Sequence, residues 1–316
     1  MTPSSPAQFT LTQLRYFTEA ARSGSMTEAA KRLHVSQPAL SAAITLLERD
    51  LGVTLFERVP RKGIRLTAAG RQFHLDAVAL LSHAESMSER IGSFEGALIG
   101  TLRVGMYSPM APFRAPTIVH AFARRHPQIA LELVEADHDE LVRMLEDQEI
   151  DVAVAYDMAP FEQLEIETLE TLLPHAIVPP EHPLAGAPGP VELRRFAADP
   201  LILLDLPHTA SYYLGLFRSV GVEADVRFRV RGYETVRGLV GRGFGVSLLN
   251  QRIANDRSYG GTRVVAVELA DRLPGLRLSL VRRIGDASQR VEAFAEVCRR
   301  LYVSGGAGAG EGIDAG

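Results

Sequence analysis

The chain has 316 residues, long for one domain and enough for two or three, and its 46% hydrophobic content is ample for a soluble core. No run approaches the roughly 18 consecutive apolar residues of a membrane span, residues 1–9 (MTPSSPAQF) have neither the basic start nor the apolar run of a secretory signal, and the single cysteine, Cys298, excludes an intramolecular disulfide, a cysteine-rich metal site and a two-cysteine peroxide sensor. The net charge of −4 is unevenly divided: through residue 66 nine basic side chains face five acidic ones, giving +4 and leaving −8 for the rest, and both lysines, Lys31 and Lys62, lie in the basic part.

Such asymmetry suits one end that meets phosphates and another that does not. In chain order, Thr10 is placed to cap a first helix whose Leu11, Leu14 and Phe17 face inward. Ser25 caps a second, with apolar Met26, Ala29, Ala30 and Leu33. After a turn of only His34 and Val35, Ser36 caps a third that carries Pro38 in its first turn. Leu40, Ile44, Leu47 and Leu51 recur at steps of four, three and four, so they share a buried face. Pro38, Ser41, Ala42, Thr45 and Arg49 then point outward, and Gln37 and Ser41 in the first turn reach far enough to touch base edges. This is the pattern of a helix-turn-helix, although a solvated helix hairpin shares its caps and small residues.

Two short apolar strands, 53–56 and 64–66, flank a basic tip with Pro60 and Gly63, which makes the helical unit a winged one. Arg58, Arg61 and Lys62 on that tip are placed for phosphate or a minor groove. Thr67 caps a long helix in which Phe73, Ala77, Leu80, Ala84, Met87, Ile91 and Phe94 repeat at alternating four and three, an a/d seam that pairs helices. The spacing predicts a dimer; packing of the seam on the chain's own second domain is the alternative. Residues 96–100 break the helix as a hinge.

From residue 102, strand-like runs alternate with helical patterns: LRVGM, 117–125, IALELVE, 139–147 and DVAVAY, then HAIVP, LILLD, 210–220, VRFRV, 233–242 and GVSLL. The alternation implies parallel strands with crossover helices and two α/β subdomains around a cleft. The glycine-rich tail, 304–316, cannot build a core and is expected to be disordered.

The stretch 10–70, from LTQLRYFTEAARSGSMTEAAKRLHVSQPALSAAITLLERDLGVTLFER to RLTAAG, resembles the N-terminal domain of LysR-type transcriptional regulators. A looser likeness runs to Tyr302 through LRVG, RRHPQIALEL, EIDVAVAY and RGLVGRGFGVSLL. The resemblance implies a winged helix-turn-helix (10–66), a linker helix that makes a homodimer or homotetramer (67–95), and an α/β periplasmic-binding-protein-like effector domain (96–303). In that fold, strands near 164–173 and 263–282 cross between subdomains. It also implies operator DNA, RNA polymerase and a small anionic organic effector as partners, no membrane and no cofactor, and a cytoplasmic protein. Gln37, Pro38 and Ser41 carry over as recognition contacts, whereas Ala42, Ala43 and Thr45 stand where the family often has longer polar residues. More reliance on the wing and on DNA shape follows.

Open α/β sheets bind ligands beyond the carboxyl ends of their strands, where helix N-termini favour anions. Three loops qualify: Ser108 and Pro109, Asp137 and His138, and His208, Thr209 and Ser211. The resemblance seats an effector between the subdomains there and closes the cleft upon it, with His138 replacing the family's usual hydroxyl and making anion binding pH-dependent. The nine histidines show no metal-ligand spacing, so no metal is expected. An enzyme using the cleft is the rival from another class, but no nucleophile-base pair, carboxylate pair or cofactor loop supports it; a ligand-independent repressor or architectural protein is a third reading.

Overall fold

The computed structural model describes residues 9–59, 63–92, 98–161, 164–253, 255–285 and 288–303, which divide near residue 97 into two compact units. The wing tip at Pro60, Arg61 and Lys62, the hinge residues 96 and 97, Phe94 of the seam and the tail 304–316 lie outside the described residues.

The first unit opens with α1 (Leu11–Ser23), α2 (Met26–Arg32) and α3 (Gln37–Leu51). Thr10 and Gln13 form a reciprocal capping box: the Gln13 N–H donates to Thr10 Oγ1 at 3.1 Å, and the Thr10 N–H donates back to Gln13 Oε1 at 2.8 Å. Ser25 and Ser36 accept from Glu28 and Ala39 in the same way. Leu14, Phe17, Ala29, Ala30, Leu40, Ile44 and Leu47 form the core, where each buried leucine contributes about 1.5–3 kcal/mol. Leu11 does not join them. It is 45% exposed, because the buried stripe of α1 runs through Gln13, Leu14, Phe17 and Ala20 and has turned away by that point.

Strands β1 (Phe56–Val59) and β2 (Gly63–Leu66) pair antiparallel as the wing, with Phe56 opposite Leu66. The first strand starts later than the apolar run suggested, since Glu48 Oε1 of α3 accepts the Leu55 and Phe56 N–H groups at 2.7 and 3.1 Å and leaves Val53 exposed. The Ile64 N–H donates to the Gly24 carbonyl at 3.0 Å, and any side chain at Gly63 would put its Cβ 2.4 Å from that oxygen. Helix α4 (Ala68–Gly92) then begins at Thr67, whose hydroxyl accepts from Gly70 and donates to the Thr54 carbonyl. Its first turns belong to the same core: Phe73 meets Phe17 at 5.1 Å between ring centres, and Ala77 and Leu81 are buried.

The second unit runs β3 (Gly100–Tyr107), α5 (Ala111–Arg125), β4 (Ile129–Ala136), α6 (His138–Glu146), β5 (Val152–Tyr156), β6 (Leu164–Leu172), β7 (His175–Val178), β8 (Leu201–Leu204), α7 (Thr209–Ser219), β9 (Val226–Val230), α8 (Tyr233–Gly241), β10 (Ser247–Leu249), β11 (Val265–Glu268), β12 (Leu276–Arg283) and α9 (Gln289–Tyr302). One lobe is a sheet ordered β4-β3-β5-β12-β6; the other holds β10-β7-β11 and β8-β9, joined by a bridge from Leu201 to Val246. The chain crosses between lobes from β6 to β7 and returns from β11 to β12.

The sheets are mixed, not all parallel. β3 pairs parallel with β4 and β5, but β12 returns from the other lobe and runs antiparallel to β5 and β6. Helix α5 begins six residues before the pattern suggested: Pro112 sits in its first turn, where a missing N–H is tolerated, and the helix continues through Pro116, which lies inside it and leaves one carbonyl without its helical partner.

Candidate functional site

In the first unit, burial of Leu40, Ile44 and Leu47 fixes the rotation of α3 and turns its opposite side to solvent. Gln37, Pro38, Ser41, Ala42, Thr45, Leu46 and Arg49 line one shallow, open depression on that side. Ser41 is half-buried and the others are exposed. Leu46, 38% exposed, is an addition to the face read from the sequence; it lies one turn after Ala42, so helical spacing alone could have found it. An apolar tip beside short polar groups suits thymine methyls as well as base edges. Arg58 is exposed on β1.

In the second unit, every loop singled out lies at the carboxyl end of a strand of one lobe or the other. Ser108 is half-buried and follows β3, its N–H held by the Ala136 carbonyl at 3.0 Å; Pro109 is buried. Thr209 is buried and bonded to the carbonyls of Leu204 and Leu206, while Ser211 is exposed on the first turn of α7. Asp137 caps α6 by accepting from the Glu140 N–H at 3.2 Å, and it meets Arg231 of the other lobe at 3.3 Å.

The N-terminus of α6 carries its own anions. Asp137, Asp139 and Glu140 already crowd that turn, and three carboxylates outweigh a helix end worth about half a positive charge. His138 is buried against Phe161, with ring centres 4.6 Å apart, and burial pushes its pKa below the ordinary value, opposed by its hydrogen bond to Asp139. Nor do the histidines stay apart. Among the described residues, His138, Asp139 and His208 bring one ligand atom each to within 4.8 Å of one another, with Asp139 Oδ1 lying 3.3 Å from His138 Nδ1 and 2.7 Å from His208 Nε2. Spacing in the sequence could not anticipate this juxtaposition, since His208 is 69 residues from Asp139.

The cleft itself is shut on aromatic side chains. Tyr107 and Tyr156 end neighbouring strands with rings 5.7 Å apart, and together with Tyr213, Tyr233, Asn250 and Gln251 they line a partly open pocket that leaves only about 10 Å³ accessible to water, room for about one molecule. Tyr233 donates to the Gln251 carbonyl, and Tyr156 to Gln251 Oε1 at 3.5 Å. Burial raises the pKa of all four tyrosines, so they are neutral hydroxyls. The Tyr107 hydroxyl and Asn250 Oδ1 are buried there without a hydrogen-bond partner among the described residues. These residues escaped the sequence reading, although LRVGMY and DVAVAY both end in tyrosine, a signal that two adjacent parallel strands present rings at one point.

Residues 11–71 match the family of bacterial regulatory helix-turn-helix proteins of the lysR type, and residues 95–302 match the LysR substrate binding domain. A probable hydrogen peroxide-inducible genes activator from Streptomyces viridosporus is 31% identical over 93% of this chain and 94% of its own length. Among solved structures, HinK, a LysR family transcriptional regulator from Pseudomonas aeruginosa, is 31% identical with a TM-score of 0.61 and covers 93% of this chain and 98% of its own. Full-length CbnR, solved in complex with its target DNA, is 28% identical with a TM-score of 0.56 and covers 92% and 99%.

Proposed function

The chain belongs to the LysR family of transcriptional regulators, and on that premise we propose that α3 reads operator DNA through Gln37, Pro38, Ser41, Ala42 and Thr45 while Arg58, Arg61 and Lys62 of the wing hold phosphates. The observation that carries this reading is the shallow exposed face of α3, held in one rotation by the buried leucines behind it. Residues 10–66 are the DNA-binding domain, α4 within 67–95 pairs two chains, and 96–303 bind the effector. Two recognition helices about one DNA turn apart then read a near-palindromic site.

The effector is a small organic molecule taken up between the lobes by the loops at Ser108 and Pro109, Asp137 and His138, and His208, Thr209 and Ser211. Because the lobes are already closed on the tyrosines, entry parts them instead of drawing them together. The Tyr107 hydroxyl and Asn250 Oδ1 favour a molecule that both donates and accepts hydrogen bonds. A hydroxylated organic acid, its carboxylate held off the acidic turn of α6, is the class to test first. Its greater affinity for the parted arrangement shifts the angle between paired DNA-binding domains, and with it DNA bending and contact with RNA polymerase in the cytoplasm. Footprinting on the intergenic DNA upstream of its own gene, with and without organic acids, tests this. A two-fold-symmetric protected site whose length or hypersensitive positions change with one acid supports it, and no specific protection overturns it.

A further inference from the structure

The three side chains that converge at the cleft mouth come from opposite lobes. His138 and Asp139 open α6 in one, and His208 immediately precedes α7 in the other. Asp139 Oδ1 lies between the two imidazoles, 3.3 Å from His138 Nδ1 and 2.7 Å from His208 Nε2. Ligand atoms of a tetrahedral zinc site lie roughly 3.3 Å apart when each bond is about 2.0 Å. The first separation is already of that size, the second opens by about half an ångström when a metal replaces the hydrogen bond, and the widest of the three, within 4.8 Å, closes by a turn of the exposed His208 ring.

His138 is buried and packed against Phe161, which fixes the plane of its ring, while its Nε2 is buried without a hydrogen-bond partner among the described residues. His208 keeps a left-handed backbone at φ +67°, a conformation that a non-glycine residue retains where its side chain has to be aimed. Charge favours a cation here. The N-termini of α6 and α7 each supply about half a positive charge, and Arg231 supplies one more, against the full charges of Asp137, Asp139 and Glu140.

We propose that His138 Nδ1, Asp139 Oδ1 and His208 Nε2 form a divalent transition-metal site, of the zinc or cobalt type, that latches the two lobes and leaves a fourth position open to water or to an anionic group. The latch rests on the two-lobed ligand-binding reading above, since it regulates that same cleft. The metal holds all three ligands only while the lobes are closed, so it opposes any effector that parts them.

The test uses the untagged full chain, stripped with a chelator and titrated with Co²⁺. One equivalent that produces the visible d–d bands of a four-coordinate site, and that raises the melting temperature by mass action, supports the site. Two variants probe it without touching the core, because both side chains are substantially exposed: His208→Ala and Asp139→Asn should each weaken Co²⁺ binding by more than about 100-fold, beyond the loss typical of an outer-shell change. Absence of the bands, or bands that persist in both variants, overturns the metal site. Organic acids are then screened by thermal shift on the metal-free protein, so that loss of the latch is distinguishable from loss of the effector reading.

Discussion

Gln37 is the longest uncharged polar side chain on the outward face of α3, and its neighbours Ala42 and Thr45 offer little for bidentate base contact. Gln37→Ala should therefore lower the ratio of operator to random-DNA affinity by about 5- to 150-fold, the range of one lost base contact at roughly 1–3 kcal/mol; an unchanged ratio at fixed salt removes it from the reading surface. Elsewhere, His175 illustrates a residue whose cost no pattern announces. It is buried in β7, and burial pushes its pKa down to about 3, with Arg252 adding to the effect. The unfolded chain takes up a proton near the ordinary value of about 6.5 while the folded chain does not, so stability is full above that pH and falls as pH drops toward 3. Urea unfolding at pH 7 and pH 4.5 should show His175→Leu losing up to about 2–3 kcal/mol less than the parent over that interval. Capping residues such as Thr10, Ser36 and Thr67 were legible because their chemistry is local. The approach of His208 to Asp139 was not, because tertiary folding alone brings them together.

Helix α4 shows what periodicity tells and what it leaves out. The steps of four and three identify a face, but not what that face meets: Phe73 and Ala77 are spent on the core of their own domain, whereas Leu80 and Met87 are 43% and 50% exposed. For the proposed pairing of α4, the side chains left available among the described residues of the seam are accordingly Leu80 and Met87. Leu80→Glu with Met87→Glu should shift the chain toward monomer in sedimentation and weaken operator binding far more than random-DNA binding, since only the operator needs two helices at once; a dimer intact in this double variant assigns pairing to other surfaces. At the start of the same helix, Gly70 abuts the wing so closely that a Cβ would sit 2.1 Å from the Leu55 carbonyl. Gly70→Ala must push the helix off the wing, and a loss of about 1–3 kcal/mol in the unfolding of the first unit is expected. Strand alternation likewise indicated an α/β second unit, yet the antiparallel course of β12 depends on its return from the other lobe, a long-range fact.

Across the whole second unit, the closed arrangement sets the terms on which any effector acts. The peroxide-inducible relative invites an oxidative trigger, but this chain has one cysteine, and burial pushes its thiol up to about 12, where it is neither a nucleophile nor part of a dithiol. On the proposed parting of the lobes, a trigger works against the contacts between them, of which the pair of Arg231 with Asp137 is one. The Arg231 side chain is 72% exposed, so solvent screens the pair and its worth is no more than about 1 kcal/mol. Breaking it should ease opening by the same amount. An organic acid that alters the footprint should thus bind Arg231→Ala up to about fivefold more tightly than the parent, and the advantage should fade at high salt, where the pair is already weak. Calorimetric titration of both proteins at two ionic strengths measures this. Weaker binding in the variant would mean that Arg231 holds the effector itself, and the lobes would then close on the ligand instead of parting for it.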